Sequence, residues 1–397
     1  YFSCIDIYRM TTPILSSQLQ YKSVEKANCK YKFQKIPLNQ PTGTLTITPT
    51  TGPLLEWKLG NSVYNLSQSY IGFTETVAAQ AASTYTWMQE DTLGGVSNIF
   101  FGNALNAHLC NLSFANKYLK IARKIATNLP DFLTNDVETS LLYSSDSTAV
   151  TNYYPVEGQG AGKYGVKNYT EPKYLSVSAA ATDHVRNRLC RLGDIPDSIF
   201  SVDKDIYIPV DMYLRLTLTG NNTYCWSGLA NNDPTSTPVA NTKNSTLTNC
   251  YLYLAIETND QISKSVISSV HSGQLVMNVP YTIGFRNTSS STSGNINLSF
   301  NKQNGKKLKQ VLTTVFNTTE TNNTSGDCGN YNGTKIKSYV SYLNNNQLQN
   351  NPIQCDGQTP VNINDWIENS RHCEGSVIQS RLMYAQNWFA LDKFLED

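Results

Sequence analysis

Two segments of this chain are predicted to be helical, and each lies inside a long stretch with the pattern of β-strands. Residues 113–143 form the first helical segment, which is broken near Pro130, and residues 362–395 form the second, which is broken near Gly375. Proline fits the first turn of a helix but not its interior, so Pro130 begins a new helix. A β-rich module with one helical insertion, followed by a second such module, predicts a duplicated β-sandwich and not an enzyme built around a pocket.

Size and charge agree with that prediction. The 397 residues are enough for two domains, at roughly 150 residues per domain. Only 15% of the residues are charged and the net charge is +1, which argues against a dedicated nucleic-acid-binding protein because such proteins carry a strong basic surplus. The apolar runs are shorter than the roughly 18 residues that a membrane span requires, so no membrane span is predicted.

The clearest strand is predicted over residues 211–220, where apolar and polar side chains alternate strictly. A period of two over so many residues fits a strand with one buried face and is incompatible with a helix. The inward set is predicted to be Met212, Leu214, Leu216 and Leu218, and the outward set Tyr213, Arg215, Thr217 and Thr219.

Other segments with alternating, β-branched or aromatic residues are predicted to be strands as well. They are residues 44–48, 62–77, 96–101, 250–256, 275–279, 281–285, 335–343 and 347–355. Polar segments rich in Asn, Ser, Thr, Gly or Pro are predicted to be loops. They are residues 144–174, 221–249, 287–294 and 318–333, and the domain junction or a long surface loop is placed within residues 221–249.

The cysteines and the glycosylation sequons indicate different cellular compartments. The nine cysteines are odd in number and none forms a CxxC pair, which indicates buried thiols in a reducing compartment; they are Cys4, Cys29, Cys110, Cys190, Cys225, Cys250, Cys328, Cys355 and Cys373. Asn-x-Ser/Thr sequons are only acceptor patterns, and glycosylation requires a secretory route. They begin at Asn65, Asn111, Asn168, Asn221, Asn244, Asn287, Asn297, Asn317, Asn322, Asn323 and Asn332.

Residues 160–165 match the GxGxxG pattern of dinucleotide-binding loops. That chemistry needs the glycines between a strand and a helix, so that the helix N-terminus faces the pyrophosphate. The residues that follow, 166–172, cannot plausibly open a helix. The segment also fails as a P-loop, because Glu157 and Tyr164 occupy the positions of the leading Gly and the Ser/Thr. A flexible loop is the prediction.

Histidine and cysteine lie close in sequence at two places. His108 is near Cys110, and His372 is beside Cys373. Neither place offers further ligands at a zinc-like spacing, and a Cys–His nucleophile would also need a shared cleft and an orienting residue. The remaining histidines, His184 and His271, are isolated. We therefore predict that the chain is not an enzyme and has no catalytic, cofactor-binding or metal-binding residues.

Two small basic clusters could contact phosphates or, alternatively, lie in solvated loops or subunit salt bridges. One contains Arg186, Arg188 and Arg191, and the other contains Lys306, Lys307 and Lys309. Neither belongs to a broad basic stripe, so the loop or salt-bridge interpretation is favoured and no specific nucleic-acid site is predicted.

One segment resembles a known family. Residues 189–209 read LCRLGDIPDSIFSVDKDIYIP and lead into the strand LRLTL at 214–218. This run resembles the end of the first jelly roll in double jelly-roll major capsid proteins, in particular those of virophages, polinton-like viruses and adintoviruses, with adenovirus hexon as a distant relative. Residues 96–139 and 335–395 are similar to the strand-and-helix parts of the first and second rolls.

The resemblance implies a mainly β fold of two consecutive antiparallel jelly-roll β-sandwiches, a double jelly roll, with small helical insertions. The expected domains are residues 1–238, with the helical insertion near 113–143, and residues 239–397, with the insertion near 362–395. In this family the second roll continues beyond its helix, so residues 239–397 are expected to lack its last strands. The family has no catalytic residues, and none are carried over.

For function, the resemblance implies a major capsid protein of a double-stranded DNA virus. Homotrimers would form pseudo-hexagonal capsomers, and these would build an icosahedral shell around the genome with neighbouring capsomers, penton and minor capsid proteins. The expected location is the virion, with assembly inside the host cell. The alternative is a secreted or cell-surface β-sandwich, either an adhesin or a carbohydrate-binding module.

Mass spectrometry of the mature protein separates these two functions. For a capsid protein we expect bare asparagines at the sequons and cysteines in the thiol form, because the protein would fold in a reducing compartment. Occupied glycans together with paired cysteines would favour the surface module instead.

Overall fold

The computed structural model describes a mainly β protein with antiparallel sheets and few helices, which confirms the predicted fold class at that level. The described residues are 31–40, 43–78, 85–89, 93–105, 107–126, 174–179, 183–223, 225–228, 238–239, 242–274, 277–286, 310–314, 338–343, 345–347, 352–354 and 389–393, with 295, 297, 299 and 308.

Most described strands lie in the first two thirds of the chain. They are β1 (Tyr31–Pro37), β2 (Leu45–Ile47), β3 (Thr51–Leu59), β4 (Tyr64–Val77), β5 (Tyr85–Gln89), β6 (Val96–Asn103), β7 (His108–Ser113), β8 (Tyr174–Ala179), β9 (His184–Arg191), β10 (Met212–Thr219), β11 (Cys225–Gly228), β12 (Pro238–Val239) and β13 (Ser245–Glu257). Among the described residues, the α-helices are α1 (Ala115–Ala126) and α2 (Asp260–His271).

The later strands are short and form two-stranded sheets. They are β14 (Gln310–Thr314), β15 (Ser338–Tyr339), β16 (Tyr342–Leu343), β17 (Asn346–Gln347), β18 (Ile353–Gln354) and β19 (Phe389–Lys393). Strand β14 pairs with β19, β15 with β18, and β16 with β17, all antiparallel.

Two sheets pack face to face in the first part of the chain. The five-stranded sheet has the order β1-β13-β4-β9, with β2 also paired to β13, and the four-stranded sheet has the order β3-β10-β6-β7. Strands β1 and β2 lie along the same edge of β13, because β4 occupies its other edge. Counted as one strand in two pieces, β1 and β2 complete the eight strands of a jelly roll.

The core lies between the two sheets. Strand β10 buries Met212, Leu214, Leu216 and Leu218 and turns Tyr213, Arg215, Thr217 and Thr219 away from the core, as the alternation predicts. The side chains that face it from the other sheet include Ile71, Phe73, Leu247, Leu252 and Leu254, all in the same cluster. Burial of these side chains at roughly 1.5–3 kcal/mol each is the main stabilising contribution.

Strand β13 belongs to the first sandwich. It lies between β1/β2 and β4, so the sandwich includes residues up to Glu257. A division at Pro238/Val239 would separate this strand from its sheet; that division itself stays a prediction. Part of the predicted loop 221–249 also pairs, as β11, β12 and the start of β13.

The predicted helices are only partly described. Helix α1 confirms the predicted helix over Ala115–Ala126, although Ser113, the first residue of the predicted helical segment, is the last residue of β7. The rest of residues 113–143 lies outside the described residues. In the second insertion, the helix prediction is wrong for Phe389–Lys393, which form β19. Residues 362–388 and 394–395 lie outside the described residues.

Two further predictions differ from the structure. Strands were predicted over residues 275–279 and 281–285, but residues 277–286 have no regular secondary structure. Helix α2 was not predicted. Its N-cap is Asn259, whose Oδ1 accepts hydrogen bonds from the backbone N–H groups of Gln261 and Ile262, and it buries Ile262 and Val266.

Truncation of Leu216 tests the packing of the central strand. Its side chain is fully buried, so Leu216→Ala should lower the free energy of unfolding by about 2–5 kcal/mol. Thr217→Ala is the matched control, because Thr217 is exposed on the opposite face, and it should cost less than about 1 kcal/mol. Urea denaturation measures both, and equal losses would contradict the assignment of faces.

Candidate assembly surfaces

The top end of the sandwich carries a second, smaller sheet made from three inserted connections. Strand β5 comes from the β4–β6 connection, β8 from the β7–β9 connection, and β11 and β12 from the β10–β13 connection. Their order is β12-β11-β5-β8. The three connections begin at the ends of β4, β7 and β10. The end of β4 lies beside the start of β13, where Val77 pairs with Ser245, and the end of β10 lies beside the start of β6, where Leu218 pairs with Val96. Backbone hydrogen bonds between these strands join the three connections into one sheet at the top end.

The segment that carries the family resemblance closes the side of the sandwich. Between β9 and β10, the chain forms two 3₁₀ turns and buries Leu192, Ile195, Ile199 and Phe200 in the main core. Ser198 caps the second turn, because its hydroxyl accepts a hydrogen bond from the N–H of Phe200 at 3.2 Å. The apolar spacing of this segment therefore reflects a buried plug between the sheets.

Helix α1 and residues 277–286 meet at that plug. The hydroxyl of Tyr118 in α1 donates to the carboxylate of Asp197 at 3.3 Å, and Thr282 donates to the backbone carbonyl of Asp197 at 2.9 Å. Burial, and next the charge of Asp197, raises the pKa of Tyr118. A Cβ on Gly284 would lie 2.4 Å from the carbonyl oxygen of Ser113, so only glycine fits here. Residues 277–286 thus run beside β7, the edge strand of the four-stranded sheet.

The outer face of the five-stranded sheet is aromatic. Phe33, which is 52% exposed, contacts Tyr70 at 5.9 Å between ring centroids, with a 64° angle between the planes. Tyr251 and Tyr253 follow on β13 at 6.4 Å and 56°. The ammonium of Lys35 lies 3.6 Å from the ring centroid of Tyr251. Tilted rings of this kind fit a protein contact better than a flat stacking platform.

The outer face of the four-stranded sheet centres on Arg215. Its Nε donates to Oε2 of Glu56 at 2.5 Å, and its guanidinium lies 5.2 Å from Phe100 and 5.3 Å from Tyr213. Burial raises the pKa of Glu56, but hydrogen bonds from Arg215 and Asn39 outweigh that effect and leave it below its ordinary value. These contacts hold the Arg215 guanidinium against residues of its own chain.

Part of the predicted basic cluster is inside the sandwich. Nε of Arg188 lies 3.0 Å from Oε2 of Glu75, and each side chain is only 3% exposed. Arg191 donates to the backbone carbonyl of Ser67 at 2.7 Å. Arg188 is therefore a structural residue and not a phosphate ligand, and the side chain of Arg186 and the cluster Lys306, Lys307 and Lys309 lie outside what the structure describes.

His108 and Cys110 face opposite sides of β7. An irregularity in the β6–β7 pairing between Phe101 and Gly102 breaks the alternation. His108 is exposed, and its Nε2 is 2.7 Å from the hydroxyl of Tyr281. Cys110 is buried, which raises the pKa of its thiol to about 12. The two side chains cannot act together at one site.

The other described histidines, His184 and His271, lie in separate elements. His271 packs against Tyr207 at 5.9 Å between ring centroids, and His184 begins β9. The motif at 160–165 and the pair His372 and Cys373 lie outside the described residues. Within the described ranges, no three His, Cys, Asp or Glu side chains are grouped so that they could hold a metal ion.

At the base of the sandwich, opposite the top sheet, polar side chains from distant segments meet. Asp203 accepts hydrogen bonds from Asn65 at 3.0 Å and Ser67 at 2.9 Å. Tyr31 donates to Asp205 at 2.9 Å and accepts from Asn65 at 3.2 Å. We call these five residues the base network. Asn65 and Asp203 are 138 positions apart, so no local pattern could have predicted it.

Two sequons are unsuited to carry glycans. Asn65 and Asn221 are each only 1% exposed, and the amide of Asn221 donates to the carbonyl of Lys243 and to Ser245. A glycan on either amide would require the surrounding strands to separate. Among the described helices, none has the length and apolar composition to cross a membrane.

Solved structures similar to this chain include viral major capsid proteins. The Faustovirus major capsid protein is 10% identical with a TM-score of 0.33, and the match covers 66% of this chain and 59% of that one. The STIV MCP is 14% identical with a TM-score of 0.42, covering 91% and 85%. The mavirus major capsid protein is 12% identical with a TM-score of 0.32, covering 65% and 52%.

The chain therefore matches only 59% of the length of the Faustovirus protein and 52% of the mavirus protein. No protein-family model matches the sequence, and neither does any curated protein.

The buried pair of Glu75 and Arg188 makes a measurable prediction. Arg188→Ala should lower the free energy of unfolding by about 3–5 kcal/mol, because it leaves the Glu75 carboxylate buried without its guanidinium. The double variant Glu75→Leu/Arg188→Met should recover much of that loss. Lys58→Ala is the control, since Lys58 and Asp211 pair at 2.7 Å but are 46% and 48% exposed, and it should cost less than about 1 kcal/mol.

Chemical denaturation of the four proteins gives the comparison. A double variant that is less stable than Arg188→Ala would contradict the view that burial of an unneutralised carboxylate is the main cost. A loss in Lys58→Ala as large as that in Arg188→Ala would show that burial does not distinguish the two pairs.

Proposed function

We propose that this chain is a viral major capsid protein with two jelly rolls, which assembles as a homotrimer into pseudo-hexagonal capsomers. The observation that carries the proposal is the strand order of residues 31–257, β1/β2-β13-β4-β9 facing β3-β10-β6-β7. Jelly rolls occur in viral capsid proteins, lectins and cupins. The sequence segment 189–209, which leads into β10 in this fold, resembles the capsid proteins among these three.

The edges of the sandwich suit a protein that must be packed at high local concentration. Strand β3 carries Pro53, and the backbone N–H of Asn39 bonds the carbonyl of Glu56 on the same strand. In β1, Lys32 lies on the same side as Ile36, which packs against the core, and Pro37 ends the strand. Proline and inward-facing lysine are devices that prevent uncontrolled pairing between sheet edges.

The second jelly roll is part of the proposal. Strand β14 pairs with β19 over Gln310–Thr314 and Phe389–Lys393, so the C-terminal part of the chain also closes antiparallel pairs between distant residues. We place the end of the first roll at Glu257, since β13 completes its sheet, and the second roll after α2.

The proposed partners follow from the capsid role. They are two further copies of the chain in the trimer, neighbouring capsomers, and penton and minor capsid proteins of an icosahedral shell around a DNA genome. The net charge of +1 favours dense packing of identical copies, because strong self-repulsion would oppose assembly. The location would be the virion, after assembly inside the host cell.

A secreted adhesin or carbohydrate-binding module is less well supported. The sequons at Asn65 and Asn221 are buried, as are the thiols of Cys110 and Cys250. The exposed aromatic rings on the five-stranded sheet are tilted by 64° and 56°, whereas stacking on a sugar needs a flat platform of rings.

The oligomeric state of the purified full-length protein tests the proposal. We expect trimers in light scattering after size exclusion, and particles with a pseudo-hexagonal outline by negative-stain microscopy. Repeating the measurement at high salt is the control, because a specific interface persists when weak charge-mediated association is screened. A protein that stays monomeric at its highest soluble concentration, in low and in high salt, would overturn the proposal.

A further inference from the structure

Residues 277–286, which we call the strap, follow the first sandwich in sequence and pack back onto it. The ring of Tyr281 stacks on His108 at the start of β7, with 5.8 Å between the ring centroids and 28° between the planes. At the end of β7, a Cβ on Gly284 would lie 2.4 Å from the carbonyl oxygen of Ser113. The strap therefore contacts both ends of this strand.

Two turns that adjoin the strap contain a residue with left-handed backbone. Phe114 links β7 to α1 and has a φ of 57°, and Asp197 lies between the two 3₁₀ turns of the plug and has a φ of 48°. This region is unfavourable for residues with a Cβ, and a bulky aromatic residue is rarely found there. Such a conformation persists only where the surrounding contacts determine it.

The strap contributes contacts at both of these turns. Oγ1 of Thr282 donates to the backbone carbonyl of Asp197 at 2.9 Å. A Cβ on Gly284 would lie 3.0 Å from Cδ2 of Phe114, so the backbone of the strap lies against that ring. One short segment thus touches the two left-handed residues, which are far apart in the sequence.

Helix α1 joins the two turns to each other. The carbonyl oxygen of Phe114 accepts hydrogen bonds from the N–H groups of Lys117 and Tyr118, each at 3.0 Å, at the start of the helix. The hydroxyl of Tyr118 lies 3.3 Å from the carboxylate of Asp197 and 3.4 Å from the carbonyl oxygen of Pro196. The β7–α1 turn and the plug therefore form one contact region with the strap.

The strands of the first sandwich pair without the strap. Strand β13 completes the five-stranded sheet at Glu257, and α2 separates it from the strap. The strap has no regular secondary structure, and its Met277 and Val279 are only partly buried where they pack against the main core. A segment held in this way opens at lower cost than a strand in the centre of a sheet.

We propose that the strap is a conformational device that couples the first sandwich to the chain that follows it. When it is docked, the strap holds the β7–α1 turn and the Asp197 turn in their left-handed form, and when it is undocked both turns are released. The order of the plug and of α1 then depends on a segment that is not part of the sandwich. The inference rests on contacts within one chain, so it holds whichever function the protein has.

Hydrogen exchange of the full-length protein, followed by mass spectrometry, tests the strap. Thr282→Val keeps a branched side chain but removes the hydroxyl that donates to Asp197. We expect exchange in residues 192–201 and 114–126 to become at least about threefold faster, because one hydrogen bond of the docked state is lost. Strand β3, at the opposite edge of the same sheet, should keep its wild-type rate. Faster exchange in the strap alone, with both turns unchanged, would overturn the proposal.

Gly284→Ala disturbs the docked strap more strongly, because the new Cβ would meet the carbonyl oxygen of Ser113. Exchange at both turns should become at least about tenfold faster. Gly60→Ala is the matched control, since a Cβ there has no atom within 4 Å, and it should leave both turns unchanged. Equal exchange at the two turns in Gly284→Ala and Gly60→Ala would contradict the proposal. If Gly284→Ala does not fold, the result for Thr282→Val decides alone.

Discussion

The backbone pairing of β13 is the interaction on which the rest of this structure depends. Its thirteen residues pair with β4 on one edge and with β1 and β2 on the other. The partners lie far apart in sequence, and closing so long a loop costs entropy that rises only slowly with its length. Burial of Leu247, Leu252 and Leu254 against the opposite sheet offsets that cost. Without β13, the strands β1, β2 and β4 would lose a shared pairing partner that runs the length of the sheet.

The two ends of the sandwich have different roles. At the top, three connections pair with one another as β5, β8, β11 and β12, and extend the sheet architecture away from the core. At the base, short turns and the base network bring polar groups together. The strands of the sandwich thereby hold three long connections together at one end of the fold.

Much of the fold could be predicted because the signal was local. Strand β10 shows its alternation within eight residues, and each of its inward side chains is buried as predicted. Helix α1 follows from its apolar spacing, with Leu119 fully buried. The missed helix α2 also had local signals, namely the cap Asn259 and the apolar positions Ile262 and Val266.

The remaining features depend on long-range contacts that no window of sequence contains. Residues 277–286 have a strand-like pattern, but their partners are Asp197 and Ser113, and no ladder forms. The partners of β13 in the first sheet lie far from it in sequence, so the pattern of the Pro-rich segment before it could not predict this pairing. Arg188 looked like a surface charge until its pairing with Glu75 placed it inside.

An experimental density map of the full-length protein, at a resolution that separates strands, tests the account most directly. We expect Ser245–Glu257 to lie between β1/β2 and β4 in the first sandwich, and a second eight-stranded sandwich formed by later residues. A map with a single sandwich, or with Ser245–Glu257 in a sheet that excludes β4, would contradict it.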